Sequence, residues 1–576
     1  MKSTILAQAL DTLSSIIILF LLAGCTAGNH DGTIETLYFG GDILTMSGDD
    51  PEYVEAIVTS SDRLVFVGTL SDALERYPQA AKYDLQGATL LPGFIDGHAH
   101  FAGFPAQAVG AQILPPPDAG AANIDSLLAI LTRWATPENV SLTGWIFGMG
   151  FDDSVLEERR IPTKDDLDKV STDIPVMIIH ISGHLAVVNS KGLEEMGITA
   201  ESKDPEGGVI RRVAGTQEPN GVLEELAAIP YMPVVLAPRS EEAADVFLSA
   251  GQDMALSYGY TTAQEGRAML NTHLFLEQAA KSEKLKIDVV SYIDYSVADS
   301  LMQSQWYTDG YTNHYRIGGM KLTLDGSPQG RTAWLTQPYR IPPEGAEDDY
   351  AGYPAIPSDS AVTSIYRKAF DNNWQILTHA NGDAAIDQLI RTMREARSDA
   401  TADRRDVLIH GQYIRADQLD SLAAMGGVIA SLFPLHTYYW GDWHRELIGD
   451  SLGSIISPTR TALDKGLRLT IHTDAPVALP NLMRVIWTAT SRTTRSNEVI
   501  GASERLTPYE ALKGITDWSA YQHFEEEDKG TLEVGKLADL VIVSANPLKV
   551  EIEEIPNILV LQTIKEGVTV YSHSLN

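Results

Sequence analysis

The sequence predicts an α/β protein: a (β/α)8 barrel with a small β-sandwich built from both chain ends. Three observations point there. Eight strand-like segments alternate with amphipathic runs through the middle of the 576-residue chain. Both ends read instead as short β segments separated by Gly turns. His and Asp residues recur where the middle strands end, the side of a parallel barrel on which functional groups gather.

The first part of the sandwich is expected over residues 33–89. Between Thr33 and Gly68 the segments TLYFGGDILTMS, EAIVTS and RLVFVG are broken by turn signals at Gly40-Gly41 and Ser61-Asp62. The second part, residues 526–576, carries KGTLEVGKLADLVIVSANP and ILVLQTIKEGVTVY, again short apolar strands with Gly turns. The barrel is expected over residues 90–525. Its strands are read at Leu90–His98, Gly259–Glu265, Ile287–Ile293, Gly319–Gly326, Gln375–Asn381, Asp406–Gln412, Gly427–Leu432 and Arg468–Pro476. Amphipathic runs such as SAVTSIYRKAFDNN and ADQLDSLAAMG lie between them. The first two strands are about 160 residues apart, so an insertion over residues 101–250 is expected to border the site. A doubly wound open sheet is the competing architecture.

Residues 1–24 read as a lipoprotein signal peptide. Lys2 supplies a positive charge, Ser14 to Leu22 is mostly apolar, and Leu22-Ala23-Gly24-Cys25 forms a cleavage box. Asp11 interrupts the pattern. Cys25 is the only cysteine, which excludes an intrachain disulfide and suits lipid attachment to its sulfur. Residues 25–32 are then a lipid-attached linker. Thr26, where an Asp is absent, points to the outer membrane. The expected location is the bacterial periplasm or cell surface, with the N-terminal lipid as the membrane contact. The net charge of −34 disfavours a nucleic-acid partner, because phosphate neutralisation needs basic surface. Oligomeric state is left open.

His98 and His100 are expected to project together from one strand end, because side chains at i and i+2 of an extended backbone share a face. A lone HxH is weak evidence for a metal. The other strands strengthen it: the fourth carries Lys321 and Asp325, the fifth gives His379, the sixth His410, and the eighth His472 and Asp474. Imidazoles and a carboxylate suit Zn²⁺, with Fe²⁺, Mn²⁺ and Co²⁺ as competitors. An ammonium repels cations, so Lys321 is either a substrate-binding or ion-pairing group or, as the neutral amine, a site for CO₂ capture as an anionic carbamate. There is no Gly-x-Ser-x-Gly elbow and no Walker-type phosphate loop. Tyr438, Tyr439, Trp440 and Trp443 are expected in a loop after the seventh strand, lining an aromatic pocket or packing over the barrel mouth.

The motifs LPGFIDGHAH, GWIFGMGFDDS, RIPTKDDLDKVSTDIPV, GHLAVVNSKGL, MKLTLDGSPQGRTA, THANGDAAID, LIHGQ, TDAPV and GKLADLVIV together resemble the amidohydrolase superfamily, and within it the YtcJ-like metal-dependent hydrolases of amidohydrolase family three. The likeness runs from about Thr33 to Tyr571. It implies a TIM barrel with a flanking β-sandwich and a divalent metal centre, commonly zinc, of one or two ions. The implied ligands are His98, His100, His379, His410 and Asp474, with Lys321 as a carboxylated bridging residue in two-metal members. His184, Asp325 and Arg331 look like substrate-pocket residues. Pro328-Gln329-Gly330 replaces the usual Leu-Gly-Ser, His472 a small residue and Thr473 a serine, so substrate preference does not carry over.

The expected activity is hydrolysis of a carbon–nitrogen bond other than a peptide bond, in an amide or cyclic amide of a small-molecule substrate. Asp474 is the expected proton shuttle and catalytic residue. The alternatives are an ester or lactone hydrolase with the same site, and a non-catalytic binding lipoprotein on the same scaffold.

Overall fold

The structure is a computed structural model that describes residues 35–183, 185–205, 207–343, 346–397 and 403–573. The signal peptide, the linker with Cys25, and His184 lie outside the described residues. Among these residues no helix is long and apolar enough to cross a membrane.

Eight parallel strands form one sheet: β1 (Phe94–Ile95), β2 (Tyr260–Ala268), β3 (Asp288–Asp294), β4 (Tyr315–Thr323), β5 (Gln375–Ala380), β6 (Asp406–His410), β7 (Val428–Leu432) and β8 (Arg468–Ile471), in sequence order across the sheet. These are the eight segments expected from the sequence, with shifted ends. Their apolar residues are buried on both faces, as parallel strands covered by helices require. Beyond β1 and β8 the chain extensions hydrogen-bond to each other: Asp474 N donates to His98 O at 3.2 Å and His100 N to Ala475 O at 2.8 Å. The sheet therefore curves until its two edges meet.

The connecting helices follow from sequence pattern. In Asp359–Asp371 the Ser358 side chain caps Ala361 N, and Val362, Tyr366 and Ala369 form the buried stripe at helical spacing. The aromatic run after β7 is not a loop. It lies on the helix Leu435–Ile448, because Pro434 sits at the N-terminus, where its missing N–H costs nothing.

The chain ends contribute to a second, mixed sheet of eight strands. Its N-terminal members are Glu35–Leu44, Tyr53–Ser60, Arg63–Gly68, Ala81–Asp84 and Thr89–Pro92; the C-terminal members are Leu540–Val543, Val560–Lys565 and Val568–Ser572. Leu540–Val543 pairs antiparallel with Thr89–Pro92, which joins the two ends. The expected single strand Leu90–His98 is thus divided. Thr89–Pro92 belongs to the terminal sheet, and Phe94–Ile95 belongs to the parallel one. The joint is Gly93, where a Cβ would collide with Thr261.

A third sheet of six strands, from Ala111–Gln112 to Pro219–Glu225, occupies the segment between β1 and β2. At the opposite end from the histidines, Lys529 Nζ contacts Asp288 Oδ2 and Glu525 Oε2, both at 2.7 Å. Lys565, the last residue of a terminal-sheet strand, contacts Asp288 at 2.8 Å. Arg316 on β4 contacts Glu525 at 2.6 Å. This buried ionic cluster ties the terminal sheet to the base of the parallel one.

Candidate metal centre

The strand β1 stops at Ile95, so His98 and His100 stand on the connection beyond it and not on a strand end as expected. Asp96 builds that turn: Oδ1 accepts from His98 N at 3.1 Å and Oδ2 from Gln264 N at 3.3 Å. The two imidazoles remain neighbours, with ring centroids 5.2 Å apart.

The His98 ring is oriented by Gln264 on β2. Gln264 Nε2 donates to Gly97 O at 3.0 Å, which turns its Oε1 to His98 Nδ1 at 2.6 Å. The proton then sits on Nδ1, and Nε2 presents its lone pair to the centre. Nε2 faces Lys321 Nζ at 3.0 Å and Asp474 Oδ1 at 3.7 Å. His100 Nε2 lies 3.4 Å from the same Asp474 oxygen. His410 Nε2 is 3.9 Å from Asp474 Oδ2, and the His379 ring centroid is 4.6 Å from that of His410. His98, His100, His379, His410 and Asp474, at or beyond the C-terminal ends of four strands, therefore meet at one place. His410 and Asp474 both adopt left-handed backbone conformations, φ +74° and +52°, which non-Gly residues rarely hold without a reason in the site.

The electrostatics suit a cation. Burial holds His98 and His410 far below the ordinary imidazole value, so both are neutral nitrogen donors. Burial alone would raise the Asp474 carboxyl, but the adjacent His100 imidazole outweighs it and holds Asp474 below the carboxylate range. Asp474 Oδ1 is buried without a hydrogen bond. Such an oxygen, faced by imidazole nitrogens, is the donor set of a divalent ion such as zinc. His98, His100 and Asp474 place their ligand atoms within 4.8 Å of one another. The residues present fit a metal.

Burial pulls the Lys321 amine down to about 7, so a neutral fraction is available near neutral pH. His472 stacks on Phe433 at 5.1 Å, and its ring lies 5.2 Å from that of His410. Burial holds it neutral, with its pKa down to about 3.

Asp325 does not open onto solvent. Its oxygens accept from Asn381 N, Gly382 N and Trp334 N at 2.9, 2.8 and 3.0 Å, so it ties the segment after β5 to the loop after β4. Burial pushes its carboxyl up to about 7. Arg331 stands on the loop that Asp325 fixes, with its guanidinium 5.5 Å from the Trp443 ring centroid.

The loop that carries Arg331 borders a cavity of about 950 Å³. Its walls include Asp153, His180 and Arg211 from the segment between β1 and β2, together with Arg331, Trp440 and Trp443. Tyr439 faces elsewhere and donates to Asp118 at 2.6 Å. Sequence reasoning missed Gln264 and Glu265. Their signal was available, since both lie near the end of a predicted strand, and Glu265 Oε1 is 3.7 Å from His100 Nδ1.

The description "Amidohydrolase family" matches residues 82–571, and the chain belongs to that family. It is 26% identical to the YtcJ protein of Bacillus subtilis (strain 168), over 94% of this chain and all of that one. It is 25% identical to an N-substituted formamide deformylase of Arthrobacter pascens, over 90% of this chain and 95% of that protein. A crystal structure of an uncharacterized metal-dependent hydrolase from Pyrococcus horikoshii OT3 superposes with a TM-score of 0.70 at 22% identity, covering 94% of this chain and all of that one. The chain is thus a hydrolase of the amidohydrolase family.

Proposed function

We propose that this enzyme hydrolyses a non-peptide carbon–nitrogen bond in an amide or cyclic amide, with Asp474 moving the proton. Asp474 Oδ1 carries the reading: it is buried, without a hydrogen bond, and faced by two imidazole nitrogens at 3.4 and 3.7 Å. His98, His100, His379, His410 and Asp474 would hold the ion, with zinc the metal their chemistry suits best. When bound, such an ion supplies an acidified water, its pKa lowered from 15.7 to about 7, and polarises the scissile carbonyl.

The chain's own residues do the rest. Gln264 fixes the tautomer of His98. Asp474 accepts the proton of the attacking water on a carboxylate oxygen, then returns it to the leaving nitrogen, which departs as a neutral amine. The rigid strand ends keep these groups in position through both transfers. Lys321 would stay a free amine beside the ligands or, carboxylated, would add an anionic oxygen ligand to the set. We read the curved parallel sheet as a (β/α)8 barrel and the terminal sheet as its β-sandwich. Lipid attachment at Cys25 would place the enzyme on the outer membrane of the cell of origin.

The relative that acts on N-substituted formamides supports the choice of bond. The test is turnover of matched amide, cyclic-amide and ester substrates by zinc-loaded enzyme. Amide or cyclic-amide cleavage that disappears on chelation and returns with zinc is expected. Ester-only turnover, or activity surviving rigorous chelation, overturns the proposal.

A further inference from the structure

We propose that the substrate carries a carboxylate, received by Arg331 against the face of Trp443 in the cavity that the Arg331 loop borders. This deepens the proposed carbon–nitrogen hydrolysis and rests on it.

The charges in the cavity wall single out Arg331. Arg211 is paired with Glu224, and Arg160 with Asp166 at 2.7 Å. Arg159 is hydrogen-bonded to the Ser154 carbonyl. The acidic groups are also engaged: Asp153 lies 3.1 Å from His180 Nε2, and Asp152 lies 3.9 Å from Arg495. Arg331 has neither an ion pair nor a side-chain hydrogen bond among the described residues, and its Nε is buried. The acid whose charge reaches Arg331 is Asp153, which is already engaged by His180, so this half-buried guanidinium has no hydrogen-bonded anion of its own among the described residues, a costly state. What lacks a protein partner is the hydrogen-bonding edge of the fork, and the guanidinium lies 5.5 Å from the Trp443 ring centroid. A planar carboxylate is the partner that such an edge takes bidentately.

Position adds the second argument. Arg331 is held by its backbone: φ is +54° and its N–H donates to Pro328 O at 2.9 Å. Thr332 N donates to Ser327 O at 3.0 Å, closing the loop on itself. The start of that loop reaches the metal centre, since Gly326 O is 3.2 Å from His379 Nε2. One short, pinned loop therefore spans the reacting centre and the unpaired cation. The ligand class that fits is a small amide with a carboxylate a few bonds from the scissile carbon–nitrogen bond, as in an N-acyl amino acid.

The experiment measures binding and turnover separately. Zinc-loaded Asp474→Asn protein is titrated calorimetrically with N-acetyl derivatives of aromatic and aliphatic amino acids, each paired with its neutral carboxamide. At least one acid is expected to bind about tenfold or more tightly than its carboxamide. Adding Arg331→Gln should erase the preference while leaving carboxamide affinity in place, and Arg331→Lys should restore only part of it. Equal binding of every acid and its amide, a preference that survives Arg331→Gln, or no binding by either set overturns the proposal. Acids that bind through Arg331 but are not cleaved by the unsubstituted enzyme would sink the hydrolytic reading and leave this one standing.

Discussion

Nζ of Lys321 lies 3.0 Å from Nε2 of His98, a buried amine against a buried imidazole where the parallel sheet ends. That contact makes the lysine's chemical state decisive. The neutral nitrogen can attack CO₂, forming an N–C bond and losing one proton to water, which leaves an anionic carbamate. Bound zinc is expected to rise from about one to about two ions per chain when bicarbonate is present during reconstitution. Lys321→Met should hold the count at about one. Elemental analysis decides, and a count that ignores bicarbonate removes the bridged arrangement.

Asp474→Asn should keep most of the metal, because the imidazoles remain. Turnover should fall by about 10²–10⁴-fold, the range assigned to a positioned proton carrier. Steady-state kinetics and metal analysis on the same preparation check both halves. Wild-type rates in the variant would show that the proton travels elsewhere.

Gly266→Ala tests the positioning of the first histidine. A Cβ at this position would overlap His98 Cε1, so the ring must move off its bond to Gln264. Metal affinity should fall about 10–100-fold, as when an orienting partner of a ligand is lost. A competition titration with a zinc chelator measures it.

The buried cluster at the base gives a pH prediction. Burial would raise Glu525, but Lys529 and Arg316 outweigh it and lower its pKa from 4.5 to about 2. The unfolded chain therefore binds that proton more readily than the folded one. The stabilisation is complete above about 4.5 and is lost as pH falls towards about 2. Glu525→Gln should cost about 3–5 kcal/mol near neutral pH, because Arg316 loses its anion and Lys529 keeps only Asp288. It should also flatten the fall in Tm between pH 5 and pH 3. Melting curves of both proteins across that window check it.

The sequence carried the eight parallel strands and the convergence of His98, His100, His379, His410 and Asp474, because each strand is a short apolar run with polar residues at its end or on the connection just beyond it. It carried less where one run serves two sheets. Leu90 to His98 reads as a single strand, and only the pairing of Thr89–Pro92 with Leu540–Val543, more than 400 positions away, divides it. The helix bearing Trp440 and Trp443 was hidden because aromatic residues are poor helix formers and tertiary packing overrides that preference. Asp325 reads in sequence as a pocket acid; its three backbone donors come from loops that composition does not bring together.

Cys25→Ala should move the protein from the membrane fraction to the soluble periplasmic fraction, or leave it unprocessed. Fractionation followed by mass spectrometry of the N-terminal peptide reads the result. A variant still membrane-bound at mature size would remove the lipid assignment.

The hinge at Gly93 has a practical consequence for anyone trimming this enzyme. The segment that delivers the first pair of histidines is anchored, six residues upstream of His98, in a layer completed by the far end of the chain. Deleting that layer to obtain a minimal catalytic core would release the anchor of His98 and His100 together. The accessory module is thus a clamp on the reaction centre, and shortened versions of the protein should fail first in metal retention.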